Sequence, residues 1–415
     1  MFALIPIFSD PFLHPYHHDN DLSLLYVRHY GDREGRMICI NHPDCGDKES
    51  IDDIKNNNVN FYLTPDKKKL MNIFPDTRLI DVNMMTWLKT NKPLNFEDIR
   101  INAYDFFHSK YYNVKNLNLI IPLVKHKEYC DRVFDRITEN IHQVYEVMYT
   151  EAIEAFSSIE KNGIRVTNDV CDIFDERVRK HISNGKLYSQ YNLWTSTGRP
   201  SNSFGSVNFA ALNKEQRKAF IPENDMLVEY DYDAYHLRLI GELIDYKFGD
   251  ESVHKHLAEF YGCSYEESKA KTFKLLYGGI SSEIRKSIPF FDKTQNFMDN
   301  LWEKFNGANY IKTYIYNRRI KFSTDLTKNK LFNYYIQSFE TEHNIKRIVE
   351  IQKILKDYKS KMVLYGYDSF LIDFDIYDGI DLLKLIKSEL QGDNYMVKIK
   401  SGKQYNKLKD ITHKL

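Results

Sequence analysis

Over roughly the first third of the chain, apolar and polar residues alternate in short runs, the texture of a mixed α/β region. Residues 22–30 and 36–41 are apolar-rich and are joined by Gly31-Asp-Arg-Glu-Gly35, which predicts a β-hairpin. Shorter helical pieces are expected at 67–73 and 82–89. The period then lengthens: Tyr129, Val133, Ile137 and Ile141 recur at helical spacing, predicting one long amphipathic stretch over 124–162, only weakly interrupted. From Lys186 onward the pattern changes again. Apolar strand-like runs at 226–232, 362–367 and 370–374 each end in, contain or lead into an acidic residue, and a mostly helical insertion separates the first from the other two. No internal repeat is visible.

Composition changes this picture little. The 415 residues suffice for two or three domains, and 42% hydrophobic with 28% charged residues is an ordinary soluble balance. The net charge of zero removes any global positive field, so contact with nucleic acid would have to be local. Basic residues do gather between Lys269 and Lys321, and residues 397–415 carry six lysines against one aspartate. The plain reading of that tail is a solvated end. Cys39, His42 and Cys45 offer three metal ligands, but no fourth lies nearby, so zinc is disfavoured. Residues 1–8 lack the charged start and long apolar core of a signal peptide, and no run approaches the roughly 18 apolar residues of a membrane span. A soluble, cytoplasmic protein with no membrane partner is expected.

Chemistry enters with two aspartates. The run 226–232 delivers Asp231 at its end, and the run 362–367 reaches a glycine-containing turn that displays Asp368. Brought together in one sheet, two such carboxylates would suit a pair of Mg²⁺ ions, which take oxygen ligands and can clamp both oxygens of a phosphoryl transfer. Either aspartate alone reads as a surface or turn residue. The stretch 265–279 adds Lys269, Phe273 and Tyr277 at i, i+4 and i+8, on one helical face. A cation and two rings in line suit a triphosphate, a sugar and a base, although an amphipathic helix with core aromatics has the same pattern. Gly278-Gly279 is a helix stop.

The ordered set resembles the signature of family A, polymerase I-like DNA polymerases. Thr197-Gly198-Arg199-Pro200-Ser201 resembles the segment that precedes the palm in that family, and Asn208 to Asn213 and Arg217 to Pro222 are similar to the runs that follow it. Asp231 to Arg238 resembles motif A and Lys269 to Gly278 motif B. Asn333-Tyr-Tyr-Ile-Gln337-Ser is similar to an Asn-x-x-x-Gln-Gly element, and Tyr367-Asp368-Ser369 stands where motif C has His-Asp-Glu. Each motif alone is weak; the order and separation over residues 150–400 are specific.

The resemblance implies an α/β (α+β) right-hand polymerase, with palm and fingers, a reduced thumb and a small α/β, exonuclease-derived domain in front. It divides the chain into 1–140 (degenerate exonuclease-like), 141–196 (helical segment and vestigial thumb), 197–245 (palm with motif A), 246–330 (fingers with motif B) and 331–415 (palm with motif C). It implies a DNA-directed DNA polymerase that takes primer-template DNA, deoxynucleoside triphosphates and Mg²⁺. Asp231 and Asp368 would hold two ions, helped by the backbone carbonyl of Tyr232. Lys269 and His254 would meet the triphosphate, Phe273 the sugar and Tyr277 the templating pair. Thr197, Arg199, Asn333, Gln337 and Gly278 would contact DNA, with Arg199 and Gln337 at the minor-groove side of the primer end, where the acceptor pattern is nearly independent of sequence.

Departures from the pattern carry their own expectations. His236 replaces the motif A glutamate that blocks a ribose 2′-hydroxyl, and the imidazole is bulky enough to fill the same space. Ser369 and Tyr367 replace the flanking residues of motif C. Tyr265 stands where an arginine is common, leaving Lys271 or Lys274 to compensate. Thirty residues separate Val166 from Thr197, room for one helix and not a full thumb, so low processivity and an accessory partner are expected. Asp32-Arg-Glu34 and Asp47-Lys-Glu49 fit the letters of an exonuclease motif but not its apolar strand, so no proofreading is expected. Two other readings use the same residues: a degenerate polymerase acting as a DNA-binding scaffold, and a single-subunit RNA polymerase. The compact layout is that of a phage-type enzyme.

Overall fold

The strand Phe2–Phe8 (β1) shows in miniature how the first part of the chain folds. Ala3, Ile5 and Ile7 face one side and Leu4 the other, all buried, so a strand with apolar residues on both faces must lie inside a sheet covered on both sides. A computed structural model, describing all residues except 56–60, 107–115, 142–146, 204–205, 250–251, 323–325 and 393, places β1 at the centre of five strands. With Leu22–His29 (β2), Arg36–Cys39 (β3), Tyr62–Thr64 (β4) and Leu79–Asp81 (β5), the order is β3-β2-β1-β4-β5. The first three strands are antiparallel neighbours, and β4 and β5 run parallel to β1. One face packs on helix Leu123–Glu139 (α1) through Cys130, Val133, Phe134 and Ile137; the other buries Leu4, Leu25, Ile38, Leu70 and Phe74. The expected hairpin forms between β2 and β3. A Cβ on Gly35 would run into the Tyr26 ring, which accounts for glycine at the end of that turn.

Several expectations are corrected in this unit, which comprises 1–194 and 201–219. The stretch 124–162 is not one helix: α1 ends at Glu139, and a second helix, Val147–Asn162 (α2), follows, with 142–146 outside the described residues. Helical spacing continues across Asn140, but its N–H returns to the Ile137 carbonyl, closing the helix there. Between Val166 and Trp194 there are two one-turn helices, Val170–Ile173 and Glu176–Arg179, and short strands, rather than one helix. Cys39 and Cys45 form a disulfide, and the His42 imidazole bonds the Ile121 carbonyl, so these three groups are occupied otherwise than by zinc. Neither Asp-x-Glu sequence lies on a strand; Glu49 pairs with Arg36 and accepts the Cys39 N–H.

The second unit, 195–200 with 220–415, is built on another sheet. Its central strand Met226–Tyr232 (β6) lies between Ser369–Phe374 (β8) and Val397–Gly402 (β9), with Lys361–Tyr365 (β7) and Lys409–Asp410 (β10) at the edges; neighbours are antiparallel throughout. Residues 397–415 are thus not a solvated tail, because β9 is a core partner of β6. Val228, Tyr230 and Tyr232 face helix Gly379–Gln391 (α8), where the Tyr230 and Tyr232 hydroxyls donate to the Leu383 and Leu390 carbonyls. By the two-residue period, Glu229 and Asp231 face the other way. Between β6 and β7 come helices Tyr235–Leu243 (α3), Val253–Tyr261 (α4), Tyr265–Gly278 (α5), Pro289–Phe305 (α6) and the 28-residue Lys328–Leu355 (α7). Among the described residues, no helix is long and apolar enough to cross a membrane.

Candidate active site

The register of β6 against β8 puts Asp231 opposite Ser369, one residue from Asp368. The Tyr232 N–H donates to the Asp368 carbonyl at 2.9 Å, so the strand end and the turn are stitched together at the two acids. The turn is tight: the Gly366 N–H donates to the Ser369 carbonyl at 2.8 Å, the Asp368 N–H to the Gly366 carbonyl at 2.9 Å, and Tyr367 sits at φ +66°. A non-glycine residue in the left-handed region is uncommon and must be held there by its surroundings.

Asp368 is exposed on one side yet hemmed in by protein on the others. Loss of hydration and then the nearby Asp231 carboxylate push its pKa up to about 6. Because its open face keeps water close, the repulsion from Asp231 is the firmer of the two causes. Converging carboxylates that repel each other form a hard oxygen donor set, and this fits a divalent cation such as Mg²⁺. One lysine already attends: Lys400 Nζ lies 3.1 Å from Asp231 and 3.3 Å from Glu229.

A raised acid pKa has a defined consequence for stability. Between the unfolded value near 4 and the folded value of about 6, the native chain holds a proton that the unfolded chain has released. The stability this proton provides is present at low pH and lost as pH rises through the folded value. Asp368→Asn, in metal-free protein with chelator, is therefore expected to melt at a higher temperature than the parent at pH 7–8. The gain should be modest, because the group is exposed, and should vanish below about pH 4. A lower melting temperature for the variant at neutral pH would show that the two carboxylates do not repel.

The face of α5 gathers the phosphate candidates. Ser264 caps this helix through a reciprocal box with Glu267, which fixes its start. Lys269 is exposed and makes no hydrogen bond or ion pair among the described residues, and Phe273, four residues on, is 37% exposed. His254 on α4 is brought to the same face, 5.7 Å from the Tyr265 ring and 6.1 Å from the Phe273 ring; the Ser268 hydroxyl, donating to the His254 carbonyl, ties α4 to α5. Burial, opposed by Asp233 and reinforced by Lys269, holds the imidazole pKa below its usual value, and Nδ1 has no hydrogen-bond partner among the described residues. His254 thus offers a neutral hydrogen-bonding group beside the Lys269 charge. Lys271 lies over the Tyr261 ring at 4.4 Å and Lys274 is exposed; by helical spacing neither shares the Lys269 face. The Tyr277 side chain is outside the described residues. Gly278, at the helix end, is exposed, and a Cβ there would meet nothing within 4 Å.

The third group lies along α7. Asn333, Gln337, Glu340 and Asn344 recur at helical spacing on one stripe. Arg199 donates to Glu340 at 3.1 Å and stacks over the Tyr367 ring at 4.0 Å, while the Thr197 hydroxyl accepts the Arg199 N–H. His236 reaches the other oxygen of Glu340 at 2.8 Å. The Asn333 side-chain oxygen is buried with no partner among the described residues. Sequence reasoning missed Glu340, Asn344, Lys398, Lys400 and Asp233. Asp233 is buried, bonded to Lys398 at 2.5 Å and close to Arg238, and it accepts the Val253 N–H at the start of α4. A signal for Asp233 was present, because Asp231-Tyr-Asp233 places both acids on one side of an extended chain.

No family model matches the sequence, and no curated protein does. Among solved structures, the chain is similar to the POL domain of Pol1 from M. smegmatis in complex with DNA primer-template and dNTP. The TM-score is 0.67 at 13% identity, over 98% of this chain and 96% of that one. The mixed α/β fold of a polymerase POL domain, expected from the ordered motifs, is therefore the fold of this chain.

Proposed function

We propose that this chain is a DNA-directed DNA polymerase that extends a primer by nucleotidyl transfer. The observation that carries the reading is the stitching of Asp231 to the Asp368 turn, in a chain with the fold of a polymerase solved with DNA primer-template and dNTP. Asp231 and Asp368, with the Tyr232 carbonyl, would hold the divalent cations. When bound, these ions lower the charge repulsion between the primer 3′-oxygen and the α-phosphate and steady the departing pyrophosphate. Lys269 would set its exposed positive charge against the triphosphate, and His254 would add a hydrogen bond without adding charge. Phe273 offers the half-open ring against which a sugar packs, and Tyr277, one turn further along α5, is the residue proposed for the templating pair. Arg199, held over Tyr367, together with Gln337, Asn333, Thr197 and Gly278, would line the primer terminus.

His236 decides which sugar is accepted. Fixed on Glu340, its ring cannot swing aside to admit a 2′-hydroxyl, so deoxynucleotides are preferred. On a primed template, ribonucleotide incorporation is expected to be at least about 100-fold less efficient than deoxynucleotide incorporation, and His236→Ala to narrow that ratio. Equal use of both sugars by the parent protein would instead favour an RNA polymerase.

The short elements between Val166 and Trp194 give little surface for product duplex, so products in a single binding event should be short. An accessory replication protein would supply the grip, as suits a compact phage-type enzyme acting in the cytoplasm.

A further inference from the structure

We propose that Glu340 and Asn344, one turn apart on α7, are positioning residues that set the spacing of Asp231 and Asp368. The inference rests on the polymerase reading only for the name of the reaction; its geometry belongs to the chain itself. Both side chains are about 1% exposed. Asn344 joins Tyr235, shortly after Asp231, directly to Tyr367, the residue before Asp368; Glu340 joins His236 to Tyr367 through the Arg199 guanidinium.

On the Asp231 side, β6 leads directly into α3, whose first two residues are Tyr235 and His236. The Tyr235 hydroxyl lies 2.6 Å from Asn344 Oδ1, and His236 Nε2 lies 2.8 Å from Glu340 Oε2. On the Asp368 side, Asn344 Nδ2 donates to the Tyr367 carbonyl at 2.6 Å and to the Tyr365 hydroxyl at 2.9 Å. A carbonyl can only accept, so the amide nitrogen must face Tyr367. Glu340 Oε1 takes the Arg199 guanidinium at 3.1 Å, and that guanidinium covers the Tyr367 ring. Tyr367 is therefore held twice, by its carbonyl and by its ring, at the left-handed backbone angle that presents Asp368.

Simple packing does not account for this arrangement. Burying a carboxylate in a helix is costly, and apolar residues of similar size stabilise as well or better. A buried network in which both Glu340 oxygens and both ends of the Asn344 amide are bonded instead supplies rigidity and one geometry. Partners that orient ligand carboxylates in this way act on the metal site without touching it.

The test uses Asn344→Ser and Glu340→Gln in the full chain, with three readouts: the melting curve, Mn²⁺ binding by calorimetry without nucleotide or DNA, and single-nucleotide extension. Both variants are expected to melt cooperatively, to bind Mn²⁺ about 10–100-fold more weakly than the parent, and to lose kcat by a similar factor. For Asn344→Ser, KM for the deoxynucleotide should stay within about two-fold, since that side chain bonds no residue placed against the nucleotide. Tyr235→Phe, which deletes a single hydroxyl, should shift Mn²⁺ affinity in the same direction by less, and it stands in if either first variant fails to fold. Folded variants with unchanged Mn²⁺ affinity and kcat, or with a loss confined to KM, would overturn the proposal. A parent protein that binds Mn²⁺ but extends no primer would sink the polymerase reading, and the Mn²⁺ ranking of the variants would still judge the brace.

Discussion

Asp231→Ala and Asp368→Ala are each expected to lower single-nucleotide extension by about three orders of magnitude or more, with folding intact. Positioned cations contribute several kcal/mol to the charge that develops in phosphoryl transfer, and each 1.4 kcal/mol or so is tenfold in rate. Removing either carboxylate leaves too few oxygen ligands to hold the ions in line with the primer end. The two variants should also be non-additive, because they disable one unit: the double variant should be hardly worse than either single one. Neither change should unfold the protein. Asp231 is partly exposed at a strand end, and Asp368 sits in a turn where its charge is already unfavourable. Quenched-flow extension of a labelled primer measures the effect. Retention of more than about a tenth of the parent rate by either variant would exclude that residue from the chemistry.

Lys269→Ala is expected to cost about 10²–10³-fold in kcat, with a smaller rise in KM for the nucleotide. The ammonium is exposed and makes no hydrogen bond or ion pair among the described residues, so its removal leaves no structural partner stranded. Its whole effect should therefore fall on the triphosphate, and mostly after the α-phosphate bond begins to break and charge moves onto the leaving group. Lys269→Arg should recover part of the loss, because the charge is kept while its reach changes. Steady-state extension over a nucleotide series separates the two constants. A rise in KM alone would reduce Lys269 to ground-state binding, and no effect would remove the α5 face from the nucleotide site.

The strand and turn that carry Asp231 and Asp368 were legible because they obey local rules. An apolar run that ends in an acid is a buried strand delivering a charge to its rim, and β6 spans Met226–Tyr232 as its pattern implies. The turn before Asp368 announced itself through Gly366, and the α5 face through a spacing that one helix must bring together. What stayed hidden depends on long-range pairing. Lys398 and Lys400 read as a basic tail; only the register of β9 against β6, Asp231 opposite Lys398, turns them into partners of buried and half-buried acids. Glu340 and Asn344 look like ordinary polar positions on a long helix, and nothing local tells that α7 is buried on that side. The break after Glu139 was masked for the opposite reason, since Ile137 and Ile141 keep helical spacing while the helix closes at Asn140.

The most direct test of the central claim is single-nucleotide incorporation by the purified chain with Mg²⁺ on primed templates. The four deoxynucleotides are offered one at a time opposite each template base. The account predicts extension by one residue only when the nucleotide complements the template, with pyrophosphate released in equal amount and no product from Asp231→Ala. Addition without regard to the template, or no addition by the parent chain even with its accessory proteins present, would contradict it.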